Sequence, residues 1–150
     1  MSFLSLKVKS VIRLGDELAT VSTDSALEDK KVICLFFSAL WCPPCRPFCQ
    51  LLKAAYDATV SETNDIEIVF VSSDRNEEKM KQYINEYHGN WFAVPFDPQT
   101  AHRLKTEFKI NSMPKLIVCK NDGSVITENG KELITRSGPE AMFKWIKCSS

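Results

Sequence analysis

The stretch that decides the fold runs from Val32-Ile33-Cys34-Leu35-Phe36-Phe37 into Trp41-Cys42-Pro43-Pro44-Cys45-Arg46. Six consecutive apolar residues are typical of a strand that is buried on both faces of a parallel or mixed sheet. Beyond the cysteines the spacing becomes that of one helical face, along Phe48, Leu51, Leu52, Ala55, Tyr56 and Thr59. The two cysteines therefore lie where a buried strand gives way to an amphipathic helix.

The rest of the chain alternates between strand and helix patterns. Downstream, these patterns predict a strand at 66–71, helices around 80–87 and 104–108, a hairpin of 115–119 with 124–127, and a last helix opening near 137–139. The hairpin turn is predicted at Asn121-Asp122-Gly123. Upstream, Val8, Val11 and Ile12 indicate a short strand, and turns are expected at Gly15-Asp16 and Thr23-Asp24-Ser25.

This order of elements predicts an α/β fold, with a mixed central β-sheet flanked by helices on both faces and a short N-terminal strand extension. The 150 residues suit one domain, with residues 1–30 as the extension and 31–147 as the core. Lys+Arg and Asp+Glu balance at 19 each, which argues against nucleic acid or a membrane as partner. Because Lys7 and Lys9 interrupt any signal-type apolar segment, we expect a cytoplasmic protein, with the nucleus as a second compartment. We also expect a monomer.

The Cys42–Cys45 pair has the spacing of a redox-active dithiol. At or beside a helix N-cap, unpaired N–H groups and the positive end of the helix dipole stabilise a thiolate, so we expect a lowered thiol pKa for Cys42. Two intervening residues place Cys45 one turn further on, within disulfide reach. Pro43 is predicted at the first helical position and Pro44 in the first turn, where both stiffen the loop.

The residues therefore predict thiol–disulfide exchange. The Cys42 thiolate attacks a substrate disulfide, and Cys45 then resolves the mixed disulfide. Trp41 is expected to cover one side of the sulfur, and Arg46 either adds positive charge there or is a solvated surface residue. A functional alternative from another class is a redox-sensitive binding module with little turnover.

A zinc site and a secreted disulfide framework are competing interpretations of the six cysteines. Structural zinc takes four ligands, usually from two separated pairs, whereas this chain has one CxxC, and neither His88 nor His102 has the required spacing. A secreted framework is typical of shorter chains that cannot bury a core. We therefore expect no metal and no bound cofactor, with an external thiol or reductase as electron donor.

Residues 36–46, FFSALWCPPCR, resemble the tryparedoxin and nucleoredoxin branch of the thioredoxin superfamily. Three further segments are similar to the same branch: Val69-Phe70-Val71-Ser72-Ser73-Asp74, Trp91-Phe92-Ala93-Val94-Pro95-Phe96 and Met113-Pro114-Lys115-Leu116. The tail at 115–145 is most similar to small nucleoredoxin-like proteins of animals. The resemblance covers roughly residues 20 to 147.

This resemblance implies a thioredoxin fold and the reduction of protein disulfides, with Cys42 as nucleophile and Cys45 as resolving thiol. It implies that Pro114 is cis and faces the dithiol, and that the Met113 backbone pairs with a substrate strand; a trans proline that caps a strand is the alternative. The implied partners are protein disulfide substrates and an upstream reductase or a low-molecular-weight dithiol. The substrate-binding residues are then Trp41, Pro43, Pro44, Met113 and Pro114.

Two positions depart from the thioredoxin pattern. Phe36 stands where thioredoxins carry a buried aspartate, and Asp74 is either a replacement for it or a solvated loop residue. Gln50 stands where thioredoxins kink this helix with a proline. Pro47 lies nearer, and we expect it to distort the early helix by denying the Pro43 carbonyl its hydrogen bond.

The four remaining cysteines have separate expectations. Cys49 shares a helical face with Cys45, so it is either a regulatory thiol or a small buried side chain. Cys34 and Cys119 lie in strand patterns and are expected in the core. Cys148 is expected at the surface, near the end of the sequence.

The histidines and one aromatic pair complete the candidates. His88 and His102 are expected at the surface or at helix ends rather than as bases. Trp91 and Phe92 either line a partner groove or pack under the sheet edge.

Overall fold

A seven-stranded mixed sheet organises the computed structural model, which describes residues 2–14 and 18–149. The strands are β1 (Ser10–Leu14), β2 (Leu18–Ser22), β3 (Val32–Ser38), β4 (Ile66–Ser72), β5 (Phe92–Ala93), β6 (Lys115–Lys120) and β7 (Val125–Thr127). Their order across the sheet is β2-β1-β5-β4-β3-β6-β7. The central strands β3, β4 and β5 run parallel, and the outer pairings are antiparallel. The predicted mixed sheet with an N-terminal strand extension is confirmed.

Helices cover both faces of this sheet, as predicted. They are α1 (Thr23–Leu27), α2 (Cys45–Val60), α3 (Glu77–Tyr87), α4 (Pro98–Glu107), α5 (Gly130–Ser137) and α6 (Pro139–Cys148), and a 3₁₀ turn spans Phe3–Leu6. Buried side chains of α2, α3, α5 and α6 pack on one face of the sheet. Those of α1 and α4 pack on the other face.

Strand β3 lies at the centre of both hydrophobic layers, and all seven of its residues are buried. Successive side chains of a strand point to opposite faces. Phe36 accordingly packs with the α2 layer and Phe37 with the α4 layer. Each fully buried phenylalanine contributes about 1.5–3 kcal/mol through the hydrophobic effect. The continuous apolar run therefore forms a strand because both of its faces are covered.

The turn predicted at residues 23–25 is wrong, because helix α1 begins there. The Ser22 side chain accepts a hydrogen bond from the Ser25 N–H (3.2 Å) and caps the helix, while Ala26 and Leu27 are buried. The predicted turn at Gly15-Asp16 lies outside the described residues.

Helix α5 was not anticipated, since Asn129-Gly130 has the composition of a loop. The helix packs against β6 through Gly130, where an added Cβ would lie 2.7 Å from the Leu116 carbonyl oxygen. Glycine at position 130 therefore permits a close approach of α5 to β6, which no local sequence pattern predicts. The hairpin between β6 and β7 is confirmed, with Gly123 at φ +95° in its turn.

Candidate functional site

The dithiol lies between the end of β3 and the start of α2. Helix α2 begins at Cys45 with Pro44 as its N-cap, so Pro43 precedes the helix and does not occupy its first position. Cys42 lies two residues before the N-cap, and its carbonyl accepts a hydrogen bond from the Cys45 N–H (3.1 Å). The first four N–H groups of a helix have no intrahelical partner. Pro47, as the third helical residue, therefore removes no hydrogen bond, and the distortion expected from it does not occur.

Cys42 and Cys45 form a disulfide, with their Cα atoms 5.3 Å apart. Cys42 retains 5% exposure, whereas Cys45 is fully buried. Cys42 is therefore the more exposed residue of the pair.

The loop before β6 lies against this disulfide. The Met113–Pro114 peptide bond is cis, which confirms the prediction, and the trans alternative is wrong. The Met113 carbonyl oxygen is 3.9 Å from Cys42 Sγ, and its side chain packs on Ala39, Cys42 and Cys45. Of the other predicted binding residues, Trp41, Pro43 and Pro44 are exposed and Pro114 is buried. Trp41, Pro43 and Pro44 thus form an exposed rim around the dithiol. The Met113 carbonyl lies beside the Cys42 sulfur.

Charged side chains hold the loop that leads into the dithiol. The Leu40 N–H donates to Asp74 (2.8 Å), and the Arg46 guanidinium donates to the Leu40 carbonyl (3.0 Å). The Trp41 indole N–H donates to the Ser73 carbonyl (2.9 Å), which leaves the ring 55% exposed beside Cys42. Arg46 is therefore held by a hydrogen bond to the loop, and its interpretation as a solvated surface residue is wrong.

Asp74 is buried, so its interpretation as a solvated loop residue is wrong. One carboxylate oxygen accepts from the Leu40 N–H and the other accepts from the Ser72 hydroxyl (2.8 Å). Burial of a carboxylate requires such partners. These contacts give Asp74 a role in shaping the loop before Cys42.

Beneath the dithiol, an aromatic layer replaces the buried aspartate. Phe36 packs edge-on against Phe48 and Trp91, with ring centroids 5.9 and 6.3 Å apart. Sequence reasoning missed Tyr83, whose hydroxyl hydrogen-bonds to the Ser38 hydroxyl (2.5 Å) and donates to the Cys45 carbonyl (3.5 Å). The available signal was a tyrosine on the apolar face of α3.

A family profile described as thioredoxin-like matches residues 29–125. The chain belongs to the thioredoxin-like family. It is similar to thioredoxin from Wuchereria bancrofti, with 36% identity, a TM-score of 0.82 and coverage of 99% of both chains. It is also similar to tryparedoxin from Trypanosoma brucei, with 32% identity, a TM-score of 0.80 and coverage of 97% of this chain and 99% of the other.

Nucleoredoxin from Danio rerio is 36% identical over 125 residues, which are 83% of this chain and 29% of the relative. This thioredoxin-like protein therefore spans about three tenths of the length of the curated nucleoredoxins that it matches. The similarities assign it to the tryparedoxin- and nucleoredoxin-like members of the thioredoxin superfamily, an oxidoreductase family, with a cysteine pair able to form a disulfide.

The other four cysteines of the thioredoxin-like protein are free. Cys34 and Cys119 are buried, and Cys148 is exposed, as predicted. Cys49 is buried, and its thiol contacts the Tyr87 carbonyl oxygen at 3.5 Å. Burial raises the thiol pKa of Cys49 to about 12, and this favours the interpretation of a small buried side chain.

The two histidines occupy different settings. His88 is the C-cap of α3, and its half-buried ring packs on Trp91 with centroids 4.6 Å apart. His102 is exposed on α4. Trp91 and Phe92 are both buried, so they pack within the molecule and do not line a groove.

The described residues show neither a metal-ligand cluster nor a membrane-spanning helix. Within 2–14 and 18–149, no group of three or more histidine, cysteine, aspartate or glutamate residues is arranged to hold a metal ion. In the same part of the chain, no helix has both the length and the apolar content to cross a membrane.

Proposed function

We propose that this thioredoxin-like protein reduces disulfides in protein substrates by dithiol exchange through Cys42 and Cys45. The observation that carries the proposal is the unequal exposure of the pair, 5% for Cys42 and none for Cys45, beside the Met113 carbonyl. An accessible sulfur suits attack on a large substrate, and a buried one suits resolution. Met113 offers backbone groups to an extended substrate segment, in the manner of an added β-strand.

The exchange moves two electrons from protein to substrate. The reduced Cys42 thiolate attacks one substrate sulfur, which forms a mixed disulfide and releases the other substrate sulfur as a thiolate. The Cys45 thiolate then attacks Cys42 Sγ, which forms the internal disulfide and releases the second substrate thiolate. A dithiol of an upstream reductase or a low-molecular-weight dithiol returns the pair to its reduced form.

The free cysteines support a reducing compartment. Disulfides persist in oxidising compartments and are rare in the cytosol and nucleus. The structure pairs two of six cysteines and leaves Cys148 exposed as a free thiol. The cytoplasm, with the nucleus as a second compartment, therefore belongs to the proposal. A monomeric state is proposed with it.

Insulin reduction with dithiothreitol as electron donor tests the activity. The wild type should accelerate insulin precipitation well above the rate with dithiothreitol alone, and Cys42→Ser should lose that acceleration. Cys148→Ser is the matched control, because Cys148 is an exposed free thiol on α6 and is not part of the pair. Equal rates for wild type and Cys42→Ser would contradict the enzyme and favour the binding module.

A further inference from the structure

A cavity of about 400 Å³ opens beside the dithiol. Two of its walls come from the residues that flank the cysteine pair, Trp41 before Cys42 and Arg46 after Cys45. The lining consists of Leu40, Trp41, Arg46, Asp74, Arg75 and Lys79. The cavity therefore adjoins the residues on either side of the dithiol.

The lining carries an excess of positive charge. It contains three cations, Arg46, Arg75 and Lys79, and one carboxylate, Asp74. Both oxygens of Asp74 already accept hydrogen bonds from Leu40 and Ser72. The whole chain has a formal net charge of zero, so the excess is local to this rim.

The three cations are not equally available to a ligand. Arg46 is committed to the Leu40 carbonyl. Arg75 is exposed, and no ion pair of its side chain occurs among the described residues. Lys79 is exposed, and its amino group reaches the Gln82 side chain only at 3.5 Å. Arg75 and Lys79 can therefore turn toward a ligand without breaking a contact that shapes the loop.

We propose that Arg75 and Lys79 select protein substrates with an acidic side chain close to the disulfide. This inference rests on the proposed disulfide reduction and names its substrate class. Guanidinium and ammonium groups bind carboxylates through charge-assisted hydrogen bonds. Complementary charge beside the reacting sulfur also raises the rate of productive encounter. The exposed Trp41 ring supplies an apolar surface for the residues between the carboxylate and the disulfide.

Three disulfide-bonded peptides that differ at one residue near a cysteine, as Glu, Gln or Lys, test the proposal. We expect the wild-type kcat/KM to fall in the order Glu, Gln, Lys, with about a fivefold range at low salt, the size typical of one or two exposed charge pairs. Arg75→Glu with Lys79→Glu should reverse that order. The preference should also weaken between about 0.01 and 0.15 M salt, as the Debye length shortens from about 30 to 8 Å.

Lys144→Glu with Lys147→Glu is the matched control. Both residues are exposed on α6, so the pair changes net charge equally without touching the cavity. This control should keep the wild-type order of the peptides. Reversal in the control as well would assign the effect to net charge and overturn the proposal.

The Gln peptide separates the two proposals. If the wild type reduces this peptide and Cys42→Ser does not, disulfide reduction is established independently of the cavity. If it is turned over but the wild type does not prefer the Glu peptide, or if the double variant retains that preference, the acidic-substrate proposal fails alone. If charge reversal changes only the reduction of oxidised glutathione, the cavity recognises a small disulfide that carries carboxylates and not an acidic protein substrate, and the proposal is again overturned.

Discussion

Cys42 and Cys49 lie seven residues apart, and the proposed function makes only Cys42 the attacking nucleophile. The thiolate is the attacking form of cysteine. Burial raises the thiol pKa of Cys49 to about 12, and a hydrogen bond with Tyr83 and the positive charge of Lys53 oppose this only in part. Cys42, in contrast, is at the rim formed by exposed Trp41.

Alkylation of the reduced protein tests this difference. In a Cys148→Ser background, which removes the exposed thiol, iodoacetamide near pH 7 should modify Cys42 first. Cys49 should react at least about a hundredfold more slowly than Cys42, because a thiol with a pKa near 12 has a negligible thiolate fraction at that pH. Mass mapping of peptides measures both rates. Comparable modification of Cys49 in protein that remains folded would show that its burial is not maintained.

Residue type and spacing alone identified the Cys42–Cys45 pair, whereas Pro114 was identified through the family resemblance. The sequence did not identify the role of Asp74, since the same aspartate is solvated in most loops. The burial of Asp74 depends on the Leu40 N–H, which lies 34 residues away in the chain. A contact of that separation leaves no local pattern.

Tyr83 connects three elements of the fold around the dithiol. From α3, its hydroxyl reaches Ser38 at the end of β3 and the carbonyl of Cys45 at the start of α2. Tyr83→Phe removes these hydrogen bonds and leaves the buried Ser38 hydroxyl unsatisfied. Leaving such a group unpaired costs about 1–3 kcal/mol, so we expect that loss of unfolding free energy in urea titrations.

Ser38→Ala with Tyr83→Phe supplies the control for this prediction. Removing both partners leaves no unsatisfied hydroxyl, so the double variant should be less destabilised than the sum of the two single variants. If Tyr83→Phe alone is as stable as the wild type, the hydrogen bonds of Tyr83 to β3 and α2 do not contribute to the free energy of unfolding.

The elements differ in how far local sequence determines them. Strands β3 and β4 and helix α2 could be predicted, because long apolar runs and a full helical face are local signals. Strand β5 consists of only Phe92–Ala93, and its pairing with β4 and β1 is set by segments far along the chain. Helix α5 depends on the close approach of Gly130 to Leu116. Elements of this kind require tertiary contacts that no window of sequence contains.

Glu67, which is buried, and His88, whose half-buried ring has a buried Nε2, give the whole molecule opposing responses to pH. Burial raises the pKa of Glu67, although hydrogen bonds from the Tyr56 hydroxyl and the Ile68 N–H oppose the shift. Its contribution to stability is therefore present below about pH 4.5 and is lost as pH rises through the folded pKa. Burial lowers the pKa of His88 to about 3, which gives the opposite dependence.

His88 is expected to dominate the loss of stability in weak acid. Its Nε2 is buried with no hydrogen-bond partner among the described residues, and its ring packs on Phe70 and Trp91. The unfolded chain takes up a proton near pH 6.5, whereas the folded chain resists protonation to about pH 3. Stability linked to His88 is thus present above pH 6.5 and is lost as pH falls.

Unfolding free energies measured in urea at pH 7 and pH 5 test this expectation. The wild type should lose about 1–2 kcal/mol between the two values through His88, and His88→Gln should show a smaller loss because glutamine does not titrate. His102→Gln is the matched control, since His102 is exposed on α4 and its variant should keep the wild-type slope. Equal slopes for wild type and His88→Gln would mean that the ring of His88 is hydrated in the folded protein, and the acid sensitivity would then have to come from other groups.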